Sequence, residues 1–205
     1  MIIPYKIKQQ IISYSFFIRF IFLFSILYFF FQFYWGITGL GGKIYSPFLA
    51  EHFNIIKGIS SFLTRCARLL LNLFGYDTFQ RQYNALRIAN SRGVIVNPSC
   101  LGWAVLSFWT AFVYANKGKI LHKLRWIIGG CAIITLINIT RIALIALANH
   151  VNSSFISRID HHQAFNIASY CCVFILMFWY LTVQKKYERT LSDTPAANNR
   201  LITVQ

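Results

Sequence analysis

Residues 126–149 read WIIGGCAIITLINITRIALIALAN. About 18 or more consecutive apolar residues make a helix long enough to cross a bilayer, and this run carries a single charge, Arg141. Three other stretches have the same character. Residues 15–35 are dense in Phe and end in Tyr34-Trp35, the aromatic pair expected at a lipid–water boundary. Residues 100–115 and 162–183 complete the set. The expected fold is therefore all-α, a polytopic transmembrane helix bundle with about four spans. The first run is long and aromatic and lacks a small-residue cleavage site, so it reads as a retained anchor.

Between the first two spans the character changes. Gly36, Gly39, Gly41 and Gly42 break the helix. In residues 60–74, Phe62, Cys66, Leu69, Leu70 and Leu73 share one helical face, and Ser61, Arg65, Arg68 and Asn72 the opposite one. This amphipathic segment is short for a span and is expected to lie flat at the membrane surface. Phe79, Tyr83 and Leu86 form a weaker second stripe beside Arg81 and Arg87. One or two interfacial amphipathic helices are therefore expected beside the spans. No internal repeat is present. Residues 1–184 read as one membrane domain and residues 185–205, with Pro195, as a polar, flexible tail.

Of the 205 residues, 57% are apolar and 12% charged. Soluble domains carry about a quarter charged residues, so that class is excluded. The formal charge is +15, from 20 Lys and Arg against 5 acids. These cations flank the apolar runs, and no nucleic-acid motif is interleaved with them, so they report orientation and attraction to lipid heads. Lys117, Lys119, Lys123 and Arg125 crowd one short loop, while Lys185, Lys186 and Arg189 follow the last span. Placing these regions and the N-terminus in the cytoplasm, as the positive-inside rule directs, leaves residues 36–99 outside. The chain is expected to be a multi-pass protein of the cell (inner) membrane. Its five cysteines follow no CxxC or Cys/His metal pattern, and no cofactor is implied.

On this topology Cys100, Arg141 and His162 fall on the outer side of three different spans. A thiol attacks only as thiolate and needs a positive neighbour or a helix N-terminus. Pro98 suits a helix start just before Cys100, and Gly102 suits close approach of a backbone or substrate. A guanidinium inside a membrane costs about 2.5–3.5 kcal/mol at the helix centre, so Arg141 belongs in a protein interior or wet cavity. There it could hold the thiolate or donate to the oxyanion of a tetrahedral intermediate. Asn138 lies on the same helical face. His162, or its neighbour His161, can take the thiol proton and return it to a leaving amine. Each residue alone has an ordinary reading: a packing cysteine, a snorkelling arginine, an interfacial histidine. Cys66, Cys131, Cys171, Cys172, His52, His122 and His150 keep that ordinary reading.

Three motifs occur in order: Gly93-x-x-x-x-x-x-Cys100-x-Gly102, Asn138-x-x-Arg141 and His162-x-x-Phe165-Asn166. Together they resemble the exosortase/archaeosortase family of membrane cysteine transpeptidases, over residues 60–183. The resemblance implies an enzyme that recognises exported proteins by a C-terminal sorting signal: a short motif, a spanning helix and a basic cluster. Cys100 would form a thioester at the motif, Arg141 would stabilise charge and His162 would shuttle protons, before transfer to a surface acceptor. With fewer spans than many members, the chain resembles a minimal version. The runner-up reading is a non-enzymatic membrane assembly or transport subunit for surface-polymer export, motivated by the single intramembrane charge. A haem-binding bundle is a third reading, but no pair of histidines within a span suits axial ligation.

Overall fold

The decisive apolar run forms the middle of α5, Ile120–Val151, a helix of 32 residues. At 1.5 Å per residue it reaches about 48 Å, beyond the roughly 30 Å hydrocarbon layer. The computed structural model describes residues 5–39, 45–89, 93–151 and 161–192. Around α5 stand α1 (Tyr5–Thr38), α2 (Pro47–His52), α3 (Ile55–Leu73), α4 (Trp103–Ala115) and α6 (His161–Ser192). The chain is an all-α membrane helix bundle with a small sheet attached.

Three helical stretches among the described residues are long and apolar enough to cross a membrane: Tyr14–Thr38, Pro98–Ala115 and Ile120–His150. They match three expected spans. The fourth expected span lies in α6, itself 32 residues long. This helix runs through Lys185, Lys186 and Arg189 to Ser192, so a boundary after residue 184 falls inside a helix. The Tyr187 ring lies flat on His122 of α5 at 4.4 Å, which holds that last part of α6 against the bundle.

The connection at 116–119 makes α4 and α5 antiparallel neighbours. Gly130 lets them close: a Cβ there would meet the Trp109 indole at 2.1 Å. Trp109 is fully buried, and its Nε1 donates to the Trp126 carbonyl at 3.2 Å. Tyr180 of α6 inserts its ring against Trp109, Phe112 and Trp126. Along α1, Phe16, Phe20 and Phe24 meet Phe108 and Phe112 of α4 edge to face, a favoured geometry for aromatic pairs. Large apolar side chains such as Phe22, Phe29, Ile175 and Phe178 remain exposed on the outer faces of α1 and α6, as a lipid solvent permits.

Residues 45–89 and 93–101 form a cap packed on the end of α1, the start of α4 and the second half of α5. Asn54 caps α3 by accepting from the Lys57 amide at 2.9 Å. The α3 helix begins five residues before the expected segment and presents three stripes. Ile56, Leu63, Ala67 and Leu71 are buried with Ile139, Ile142 and Ala146 of α5. The expected apolar face is divided: Cys66 and Leu70 pack against that cluster, while Phe62 is 56% exposed, Leu69 59% and Leu73 84%. The third stripe carries Lys57, Arg65 and Arg68.

The second expected amphipathic helix does not form. Its residues make a three-stranded antiparallel sheet of β1 (Thr78–Gln82), β2 (Ala85–Ile88) and β3 (Val94–Ile95), in that order. The pattern is period two: Leu86 and Ile88 are buried while Arg87 between them is exposed. Phe79 and Leu86 therefore belong to different strands, with Phe79 opposite Arg87 and Gln80 opposite Leu86.

Candidate active site

The sheet delivers the chain to the site. The Val96 amide donates to the Asn84 carbonyl at 2.7 Å, and Asn84 Nδ2 donates back to the Val96 carbonyl at 3.2 Å. Val96 itself is buried. Pro98, with its fixed φ and missing N–H, then opens a 3-10 turn, Pro98–Leu101. The Cys100 amide closes that turn on the Asn97 carbonyl at 2.8 Å. Cys100 thus sits in the turn before α4 rather than in the helix itself. Gly102 is the pivot between them, at φ 72° and ψ 17°. A Cβ there would find Asn138 Nδ2 at an ordinary 3.6 Å. The glycine answers the left-handed backbone, and no neighbouring backbone approaches it closely.

The opposite wall is α5. Asn138 is 7% exposed, and its Nδ2 donates to the Cys100 carbonyl at 2.7 Å. Further along α5, Asn149 Nδ2 donates to the Gly93 carbonyl at 3.0 Å. The two asparagines share one helical face, about three turns apart, and so fasten both ends of the segment that carries the thiol. Arg141 lies between them in sequence. Its Nε is buried without a hydrogen-bond partner among the described residues.

Cys100, Gly102, Asn138, Arg141 and Asn149 line one cavity of about 770 Å³. Ser169, Tyr170 and Val173 of α6 close it on a third side, and among the described residues no carboxylate lines it. Four of the six residues singled out from sequence therefore share this cavity: Cys100, Gly102, Asn138 and Arg141. The other two, His161 and His162, open α6, but their side chains lie outside the described residues. A sulfur, a half-buried guanidinium and amide donors around one cavity are components suited to acyl transfer.

The remaining histidines do not line this cavity. His52 stacks on Phe48, His122 on Tyr187, and His150 meets the Tyr76 ring edge-on. Cys66 and Cys131 line a separate, apolar cavity with Leu106 and Ile139. Two contributors were missed in the sequence. Asn149 had a signal, being in helical phase with Asn138 at the end of the same apolar run. Trp103 had none that could be read locally: its Nε1 donates to the Leu27 carbonyl at 3.1 Å, and its ring stacks on Phe31 at 4.6 Å, fixing the start of α4 against α1.

No curated protein and no solved structure matches the chain. A family model does: that of the transmembrane exosortases (Exosortase_EpsH), over residues 10–179. The match spans α1 to most of α6 and includes the whole cavity lining. With Cys100 and Arg141 facing one space inside a helix bundle, the chain belongs to the transmembrane exosortase family, a family of membrane transpeptidases.

Proposed function

We propose that this protein is a cysteine transpeptidase that cuts the C-terminal sorting signal of exported proteins and passes the new carboxyl end to a surface acceptor. The observation that carries this reading is the shared cavity of Cys100 and Arg141, with Asn138 holding the Cys100 carbonyl. The Cys100 thiolate attacks the carbonyl carbon of the scissile peptide bond. Arg141 donates to the oxyanion of the tetrahedral intermediate, in a site where such charge is poorly screened by water. Collapse breaks the C–N bond, the leaving amine takes a proton from His162, and a thioester remains on the sulfur. An acceptor amine or hydroxyl then attacks the thioester, giving its proton back to His162 and releasing the thiolate. Water would complete a hydrolysis by the same route.

His162 is preferred to His161 on helical phase. Position 162 precedes Ser169 by about two turns and Val173 by about three, so the three positions share a face of α6. Position 161 is turned about 100° from it. The direct test is to trap the acyl-enzyme. Wild-type protein incubated with a membrane-anchored substrate should yield a hydroxylamine-sensitive adduct on Cys100, with the substrate's new C-terminus readable by mass spectrometry. Cys100→Ala should leave the substrate uncleaved at normal enzyme levels. Normal processing by Cys100→Ala would return the chain to the assembly-subunit reading.

A further inference from the structure

We propose that the groove between α3 and β1 binds the phosphate of an anionic membrane lipid. This groove, of about 730 Å³, lies outside the cavity that holds Cys100, and its role does not depend on the catalytic reading. Arg65 and Arg68 enter it from adjacent turns of α3, and Arg81 enters from β1. Among the described residues no carboxylate lines it. Among the described residues, none of the three guanidiniums has a hydrogen bond or ion pair. Lys57 lies over the Tyr83 ring at 5.5 Å and extends the positive rim. Like charges gathered without a counter-ion repel, and an anion between them removes that repulsion. Guanidinium forks match phosphate oxygens in geometry as well as charge.

The apolar stripe of α3 identifies the source of the phosphate. Leu69 borders the groove and is 59% exposed. Phe62 and Leu73 lie on the same stripe and are also exposed. Phe62 also lines the apolar cavity that reaches Leu106 and Cys131 on the spans α4 and α5, so this stripe faces the bilayer while the arginines face away from it. A free phosphate would neutralise the arginines and leave the stripe bare. A diacyl lipid covers both, with its head in the groove and its chains along Phe62, Leu69 and Leu73. A helix with one cationic and one apolar edge is suited to lying in the lipid interface.

The test uses the full chain in nanodiscs of phosphatidylcholine with graded phosphatidylglycerol, with retained lipids counted by native mass spectrometry. Wild type should keep a phosphatidylglycerol that survives exchange into detergent. The variant Arg65→Gln/Arg68→Gln/Arg81→Gln should hold it about 100-fold more weakly, at about fivefold per cationic residue near the lipid surface. A variant with equal charge loss at the other end, Lys117→Gln/Lys119→Gln/Lys185→Gln, should keep it. Equal retention by the two triple variants would overturn the site in favour of general charge attraction. Displacement of the lipid by inorganic phosphate or by polyglutamate at matching concentrations would overturn the lipid assignment. Melting in pure phosphatidylcholine checks folding. If the triple variant fails to fold, Arg81→Gln alone should weaken retention about fivefold, and no change would refute the proposal.

Discussion

At the scale of single residues, Arg141 is the one charge among the described residues that line the cavity. A buried, unpartnered Nε on Arg141 contributes nothing obvious to folding and costs desolvation. Arg141→Gln should therefore leave the melting temperature unchanged or raise it, while slowing thioester formation about 100- to 1000-fold, the usual loss for an oxyanion donor. Arg141→Lys keeps the charge but not the fork and should fall between. Single-turnover assays beside melting curves would check this, and a parallel fall in both would assign Arg141 a structural role. Cys100 and Arg141 were legible as partners because span order and charge bias put both at one end of the bundle. Asn149 was not singled out, because a polar residue at the end of an apolar run reads as an ordinary helix terminus until its partner, the Gly93 carbonyl, is known. The conformation of Gly102 was equally hidden, since sequence shows a missing side chain but not a φ of 72°.

At the scale of elements, hydropathy located α1, α4 and α5, because in lipid a long apolar run has few alternatives to a helix. Residues 78–95 were misread for a physical reason. Their strands are two to five residues long, too short for period two to stand out against period 3.6. The apolar face of α3 was legible in part: Cys66 and Leu70 pack on the core as read, and a second buried stripe beside them was not separated from it. The stripe of smaller residues, with Ala67 and Ser60, fits against α5, and the bulkier Phe62 and Leu73 stay outside. The α4–α5 contact makes a sharper claim. With the Trp109 ring 2.1 Å from where a Cβ would sit, Gly130→Leu has no room. It should cost at least the roughly 1–3 kcal/mol typical of overpacking, while Gly129→Leu, whose Cβ meets nothing within 4 Å, should be tolerated. Thermal unfolding in detergent of the two variants gives the comparison; equal stability would mean that α4 and α5 do not pack this way.

At the scale of the whole molecule, the end of α1, the second half of α5 and the start of α4 meet the cap of residues 45–89 and 93–101 at one end, and the basic 116–119 connection lies at the other. On the charge argument the cap is outside. A membrane-impermeant maleimide added to intact spheroplasts should then label a protein whose only cysteine is Cys100, and should not label a version carrying instead a single cysteine at Lys117. The reverse pattern would invert the topology and end the proposal for exported substrates. The clamp of two asparagines has a mechanical corollary. Because α5 grips the 93–102 segment at Gly93 and again at Cys100, the Cys100 thiol rides on α5 rather than on its own helix. A long span answers a thinner or thicker bilayer by tilting, and here such a tilt would carry thiol and guanidinium together, leaving their spacing intact. Turnover in lipids of graded chain length should accordingly drift gently where a nucleophile borne on a separate, independently tilting rod would lose its partner abruptly.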